Sequence, residues 1–458
     1  MGTEDIELAL EKQKRFFESG STLDIDFRLE NLRKLRELII FHEEEICDAL
    51  YRDFRKPPFE VLATESRFTI AELNLMMRNL RSWSRRRRVR TSLVNFAARS
   101  YIEPQPYGQV LVLSPWNYPF QLAMVPVMSA IAAGNTVILK VSQKVAATGR
   151  VISKILGNFP EELIFFVGGG HDLTDYLLNY HFDYIFFTGS PEVGKKVMRK
   201  ASEYLTPVTL ELGGKNPCVV TADARLELAA KRIASGKFIN AGQTCIAPDY
   251  LLVDSKVKDR FLELLSAGIK GFYGTDPSES KDYCRMITPS RTEKMESFIR
   301  GSNIITGGTT DPAACYVAPT IITVSGHDDP VMQEEIFGPV LPVITYNEFS
   351  EIFPLINRHP KSLAAYIFTG SRKLARQFLD GTQSGSACVN DTIMQAASPH
   401  LPFGGVGPSG MGRYHGKKSF ETFSNMKSVM EKSVFIDIPL RYPPYTNFKK
   451  KMVKLLMR

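Results

Sequence analysis

Cysteine is scarce in this chain. Its six residues in 458 (Cys47, Cys218, Cys245, Cys284, Cys315 and Cys388) form no C-x-x-C pair, and none is spaced with the seven histidines as a metal site would be. A disulfide scaffold and a zinc module are thereby excluded, and the thiols are expected to be reduced. Long apolar runs are also missing. The most apolar stretch, Pro119 to Gly134, is broken by Gln121, Pro126 and Ser129 and falls short of the roughly 20 residues that a membrane-spanning helix needs. The first ten residues carry Glu4, Asp5 and Glu7 where a secretory signal would be basic and then apolar, so a chain that begins near Met1 and stays in the cytosol is expected. Low-complexity tracts and internal repeats are absent too. With 44% hydrophobic and 23% charged residues, the composition is that of a globular protein and excludes disorder and collagen-like repeats.

The net charge of +8 is concentrated rather than spread. Arg81, Arg85, Arg86, Arg87, Arg88 and Arg90 form one basic cluster, and Lys449, Lys450, Lys451, Lys454 and Arg458 another, while the remainder is mildly acidic. A nucleic-acid binder more often distributes basic charge over one face with interleaved aromatics, so no nucleic-acid partner is expected.

Helical periodicity dominates the start, where Leu32, Leu35, Ile39, Ile46 and Leu50 recur at three- and four-residue steps. From Gly108 onwards short apolar runs alternate with helical stretches. Val110–Leu113, Thr136–Leu139, Leu163–Val167, Tyr184–Phe187 and Cys218–Val220 are apolar on both faces, as parallel strands covered by helices are. A second such passage places strands near Leu251–Val253, Leu341–Ile344, Ala365–Phe368 and Ala387–Asn390. The expected class is α/β, with a doubly wound sheet followed by a second α/β unit. The basic, β-branched stretch from Val89 to Pro104 reads as an inserted hairpin.

Four segments set reactive groups in turn-prone sequence. Phe187-Thr188-Gly189-Ser190-Pro191-Glu192-Val193-Gly194 follows a strand and opens a helix, whose free N–H groups suit a pyrophosphate; it is not GxGxxG, and small residues placed for packing explain it equally well. Asn240-Ala241-Gly242-Gln243-Thr244-Cys245 projects a thiol from a turn, although a lone cysteine is more often an inert buried one. Leu210-Glu211-Leu212-Gly213-Gly214 ends a strand on a carboxylate that burial would turn into a useful base; alone, it is a glutamate beside a turn. In Ser114-Pro115-Trp116-Asn117-Tyr118-Pro119, Asn117 either donates to an oxyanion or satisfies its own turn. Together they supply a nucleophile, a base, an oxyanion donor and a dinucleotide turn, a complete set for thiol-mediated aldehyde oxidation.

On these residues the sequence resembles the NAD(P)-dependent aldehyde dehydrogenase superfamily from about residue 20 to 440. The motifs are PWNYP at 115–119, FTGSPEVG at 187–194, ELGGKNP at 211–217, GQTC at 242–245 and EEIFGPV at 334–340. The block PFGGVGPSGMG at 402–412, NAGQTCIAPDY at 240–250 and LRYPPY at 440–445 resemble the class 3 branch, dimeric and acting on fatty or aromatic aldehydes. The resemblance implies a Rossmann-type dinucleotide-binding domain (1–88 and 106–211) and a catalytic domain (212–408). It also implies oligomerisation segments (89–105 and 409–440) forming a small β extension, and leaves a basic tail (441–458).

It further implies that aldehyde, NAD(P)+ and water give carboxylate and NAD(P)H through a thiohemiacetal and a thioester, with no metal. Cys245 would be the nucleophile, Asn117 with the Cys245 N–H the oxyanion donors, and Glu211 the base for hydrolysis. Thr188, Gly189, Ser190 and Val193 match the pyrophosphate turn and nicotinamide contact. Glu335 matches the acid on the nicotinamide ribose, beside Phe337, and Lys140 matches the lysine at the adenine ribose. Here the family pattern Lys-Pro-Ser-Glu becomes Lys140-Val141-Ser142-Gln143. A glutamate at 143 would repel a 2′-phosphate by roughly 4 kcal/mol at 4 Å and an effective dielectric near 20. Gln143 removes that repulsion, so NADP is expected alongside NAD.

The implied partners are an aldehyde and a second copy of the chain. In the tail, Phe448, Met452, Leu455 and Leu456 share one helical face and Lys450, Lys451, Lys454 and Arg458 the other. Peripheral contact with an anionic membrane, a cover over a substrate tunnel, and a frayed terminus all remain open. Acyl transfer to coenzyme A through the same thioester is the competing enzymatic reading, and Glu211 opposes it. A scaffold retaining the fold without the chemistry is the non-enzymatic reading, and it is opposed by the joint presence of Cys245, Glu211 and Asn117.

Overall fold

The computed structural model describes residues 3–326 and 328–457, with the side chain of residue 171 left aside. Two parallel sheets organise it. In the first, the strands Gln109–Ser114, Thr136–Val141, Ile164–Val167, Tyr184–Thr188 and Val208–Glu211 run parallel, and the short strand Gly410–Met411 closes one edge antiparallel to Val208–Glu211. Gln109–Ser114 lies between Tyr184–Thr188 and Thr136–Val141, so the chain winds outward on both sides of it, the doubly wound pattern expected from the apolar runs. In the second sheet Pro217–Val220 sits between Tyr250–Asp254 and Ser362–Phe368, with Val340–Tyr346, Thr320–Thr323 and Asn303–Thr306 beyond one side and Ser384–Val389 at the far edge. Only Asn303–Thr306 runs antiparallel among its pairs.

Each apolar run singled out in the sequence lies on a strand of one of these sheets, apart from Leu163, in the turn before the Ile164–Val167 strand, and the last residue of Ala387–Asn390. The Ser384–Val389 strand stops short of Asn390, whose backbone is left-handed (φ 60) and whose side chain instead bonds both backbone groups of Thr369. The periodic N-terminal stretch divides into Ile25–Phe41 and Glu43–Phe54 at His42, whose backbone departs from helical geometry.

The Pro119–Gly134 stretch becomes the helix Gln121–Ala133, in which every residue is buried, Pro126 included. A helix apolar all round belongs in a core, and this one is packed between the first sheet and the helices Ile25–Phe41 and Arg67–Trp83. Its burial fixes the loop Ser114–Phe120 that leads into it. The inserted hairpin appears as Arg87–Val89 paired with Ala98–Pro106, and Ser424–Lys432 adds a third strand on the other side of Ala98–Pro106. The tail forms the helix Asn447–Leu456, capped by the Thr446 hydroxyl, with Phe448, Leu455 and Met457 exposed. Arg458, assigned to its basic face, lies outside the described residues. No described helix is long and apolar enough to cross a membrane.

Candidate active site

Two loops more than a hundred residues apart are stitched together at the meeting of the sheets. Asn117 is buried, and its side-chain amide donates to Gln243 O at 3.1 Å. The Asn240 amide donates to Asn117 O at 2.9 Å and to Gln243 O at 3.2 Å, and the Tyr118 and Thr244 hydroxyls lie 2.6 Å apart. The turn before Cys245 is costly. Asn240 and Ala241 both hold left-handed backbones (φ 55 and 51), which cost roughly 1–2 kcal/mol each for non-glycine residues. Gly242 (φ 71) must be glycine, since a Cβ there would collide with Gly338 O. Gln243 offsets the strain: its amide donates to Asn240 O and Arg285 O, each at 3.0 Å, and its oxygen accepts from Ile287 N. In the GQTC motif the glutamine is therefore the scaffold that lets the cysteine project.

Cys245 is half-buried. Burial, then the carboxylates Glu335 and Glu211, push its thiol up to about 12. The resting group is a neutral thiol. Alkylation of Cys245 in the free protein should therefore rise about tenfold per pH unit from pH 7 to 10. Peptide mapping after iodoacetamide treatment reads this, and a plateau below pH 8 would contradict it.

Glu211 ends the strand Val208–Glu211, opposite Thr188 on one side and Gly410 on the other. It is buried, and neither carboxylate oxygen has a hydrogen-bond partner among the described residues. Burial raises it well above the usual carboxylate range, with Arg413 pulling the other way. A lone buried carboxylate is cheaper protonated than charged, so Glu211 rests neutral and becomes a strong base once it loses its proton. Burial first, then the charges of Glu211 and Cys245, raise the buried Tyr414 phenol.

Of the residues matched to a cofactor, Lys140, Gln143, Thr188, Gly189, Ser190 and Val193 lie at or just beyond the carboxyl ends of the first sheet's strands, where doubly wound folds take ligands, while Glu335 and Phe337 precede the Val340–Tyr346 strand of the second. Gly189 N donates to Glu211 O at 3.0 Å, tying the Thr188–Val193 turn to the base. Ser190 is exposed and caps the helix Pro191–Ser202 through Val193 N, leaving the turn open to solvent. The Thr188 hydroxyl is buried with no partner among the described residues, an orphaned polar atom at the place a dinucleotide would fill. Glu335 lies against the Gly213–Gly214 turn, accepting from Gly214 N; a Cβ on Gly213 would collide with its carboxylate. Burial and Asp249 push Glu335 up to about 8. Phe337 meets the Trp116 ring edge-on at 5.4 Å. Lys140 is buried, which lowers its ammonium, while Asp172 raises it. Gln143 is exposed beside Gly170, where a Cβ would lie 3.2 Å from its side-chain oxygen and collide with Asp172 Oδ1. A carboxylate thus returns to the neighbourhood from which Gln143 removes one. These residues fit a dinucleotide.

Sequence reasoning missed Lys237, which is buried and pushed down to about 8 by desolvation, against Asp249 and Glu335, with Lys215 adding to the lowering. It also missed the buried pairs Lys215–Asp249 (2.5 Å) and Lys56–Glu65 (2.7 Å). Nothing marks a buried lysine in a sequence except its lodging among apolar neighbours, as in Gly236-Lys237-Phe238.

A doubly wound sheet and a second α/β sheet, with a thiol, a buried carboxylate and a carboxamide on the segments between them, make the frame of a dinucleotide-dependent oxidoreductase. The chain belongs to the aldehyde dehydrogenase family, whose model matches residues 1–429, and it oxidises aldehydes to carboxylic acids with NAD and/or NADP. It is 42% identical to the 4,4'-diaponeurosporen-aldehyde dehydrogenase of Staphylococcus aureus (strain NCTC 8325 / PS 47), over 99% of each chain. It is 40% identical to aldehyde dehydrogenase family 3 member B1 of Rattus norvegicus, covering 98% of this chain and 96% of the relative. Among solved structures, the substrate-bound state of Staphylococcus aureus AldH superposes with a TM-score of 0.96 at 42% identity, covering 99% of both chains. Glyceraldehyde-3-phosphate dehydrogenase GapN of Methanocaldococcus jannaschii DSM 2661, complexed with NADP, gives 0.84 at 26% identity over 94% of this chain and 95% of that one. Indole-3-acetaldehyde dehydrogenase complexed with NAD+ gives 0.85 at 28% identity over 94% and 89%.

Proposed function

We propose that this chain oxidises medium- or long-chain aliphatic or aromatic aldehydes, with Cys245 as nucleophile, Asn117 as oxyanion donor and Glu211 as hydrolytic base. The observation that carries this reading is the stitching of the Asn117 and Cys245 loops beside a buried carboxylate that has no hydrogen-bond partner among the described residues. The Cys245 sulfur adds to the aldehyde carbon and its proton leaves to water. The resulting oxyanion is held by the Asn117 amide and the Cys245 N–H. The thiohemiacetal carbon loses its hydrogen as hydride and becomes a thioester. When bound, NAD(P)+ supplies the acceptor for that hydride. Glu211, having given up its own proton to solvent, then takes a proton from water as the water attacks the thioester, releasing carboxylate and the thiol. Thr188, Gly189, Ser190, Val193, Glu335, Phe337, Lys140 and Gln143 hold the dinucleotide. Residues 1–88 and 106–211 act as the cofactor domain and 212–408 as the catalytic domain. Segments 89–105 and 409–440 act in oligomerisation, the latter also lending its Gly410–Met411 strand to the cofactor sheet.

An absorbance assay across an aldehyde chain-length series tests this reading. Reduced cofactor should form without coenzyme A, fastest beyond short chains, and with both NAD+ and NADP+. A requirement for coenzyme A would sink it. In the same assay Gln143→Glu should weaken NADP+ selectively and Asp172→Asn should strengthen it, since each changes one negative charge near Lys140; strict NAD+ use by all three proteins would refute the role of Gln143.

We also propose a homodimer in the cytosol with peripheral membrane contact through the tail. Leu93, Phe96, Val434 and Phe435 lie exposed around the Ala97–Ser433 end of the three-stranded sheet, an apolar tip suited to a second copy. The Asn447–Leu456 helix presents lysines beside its exposed Phe448 and Leu455. Light scattering at the mass of one chain would remove the first claim, and anionic-vesicle binding unaltered by truncation after Tyr445 the second.

A further inference from the structure

The segment Lys56–Ser66 contributes nothing to the reaction as drawn, yet it bears three charged side chains at the back of both reactive loops. Lys56 and Glu65 are wholly buried and pair at 2.7 Å. The other Glu65 oxygen accepts from Phe120 N at 3.1 Å and Gln121 N at 2.9 Å, the backbone groups where the Asn117 loop enters the buried helix. Lys56 Nζ lies 3.8 Å from the Tyr118 ring centroid, and Tyr118 carries the hydroxyl that meets Thr244, the neighbour of Cys245. Glu60 Oε2 accepts from Asn240 N at 3.0 Å, within the left-handed turn. Asn240 in turn donates to both Asn117 O and Gln243 O.

Local backbone explains how one short segment reaches both loops. Five residues apart, Glu60 and Glu65 would point about 140° apart around an α-helix. The chain instead widens into a single π-turn at Leu62–Ser66, with Arg67 N bonded to Leu62 O. Residues five apart are brought towards one face by such a turn, an irregularity that favours functional sites. Enclosing the wholly buried Lys56–Glu65 pair is poor value for stability alone, because desolvation of both charges offsets most of their attraction.

We infer that Lys56, Glu60 and Glu65 are positioning residues, a charged brace that sets the Asn117 amide against the Cys245 sulfur. The inference rests on the oxyanion role proposed above. Glu65 fixes one loop through Phe120 and Gln121, Glu60 fixes the other through Asn240, and Lys56, paired with Glu65 against the Tyr118 ring, attracts Glu60 through space. Glu60 also faces Cys284 (Sγ at 3.6 Å), Asp282 and Tyr273; burial pushes it up to about 7, with Lys56 and Asn240 N opposing.

Glu65→Gln offers one acceptor oxygen where Lys56 and the two backbone groups need two. In the full-length enzyme it should lower the rate of the first turnover by on the order of 10–100-fold, with dinucleotide affinity unchanged. The same substitution in an Asn117→Ala background should have little further effect, since the brace acts through a side chain already removed. Full additivity of the two losses, or a Glu65→Gln enzyme with the parent rate, would overturn the proposal. If Glu65→Gln fails to fold, Glu60→Gln in the same cycle reads the other arm and is judged by the same outcomes. Asn117→Ala with the parent rate would instead defeat the oxyanion assignment and the brace with it, a result recognisable because it needs no second substitution.

Discussion

Replacing Cys245 by alanine should abolish aldehyde oxidation while leaving dinucleotide affinity within about twofold. The chemistry has no second thiol to call on. Cys218 and Cys284 are fully buried, and Cys47, Cys315 and Cys388 belong to neither reactive loop. Because the sulfur forms and breaks a covalent bond, its loss is not a matter of weakened binding but of a missing path. Alanine removes the sulfur's contacts with the Cys245 and Ile246 N–H groups, but the Gln243 bonds that hold the turn from Asn240 to Thr244 remain, so its geometry should be kept. Fluorescence titration with NADH and an activity assay separate the two effects. Steady turnover by the alanine variant would refute the thioester route.

Glu211→Gln should give the second-largest effect, and a different kinetic shape. The acyl group should form, releasing one equivalent of reduced cofactor per site, and hydrolysis should then stall. Loss of a general base of this kind slows a step by about 100–10,000-fold. The pH dependence follows from burial. The folded protein holds the Glu211 proton more tightly than the unfolded chain does, so the parent's stability falls as pH rises from the ordinary carboxylate range up to the raised value of Glu211. The glutamine variant should lack that component and show a flatter profile of melting temperature against pH. A missing burst, or hydrolysis at the parent rate, would show that another group activates the water.

Much of the fold was legible because its strands are buried on both faces and therefore read as unbroken apolar runs. Gln109–Ser114 and Ser362–Phe368 are of this kind. Ser424–Lys432 was not, since it scatters Met426, Val429 and Met430 among polar and charged residues in a largely exposed strand and finds its partner, Ala98–Pro106, more than 300 residues away. Gly410–Met411 is too short to carry any periodicity. At the site, Cys245, Glu211 and Asn117 each have an innocuous local reading, and their motifs together point to the chemistry. What joins them, the contacts of Tyr118 with Thr244 and of Asn240 with Asn117, spans more than 120 positions and leaves no local mark. The buried Lys56–Glu65 pair is hidden for a related reason: sequence reading assigns charges to the surface, and only tertiary packing reveals that these two are enclosed.

The central claim is that an acyl group passes through the Cys245 sulfur. Mixing the Glu211→Gln enzyme with a long-chain aldehyde and NAD+, quenching in acid and mapping peptides by mass spectrometry tests it directly. The expected result is an adduct of the acyl mass on the peptide containing Cys245, absent when NAD+ is withheld and labile to hydroxylamine. Reduced cofactor accompanied by an unmodified Cys245, or by acylation of another cysteine, would contradict it.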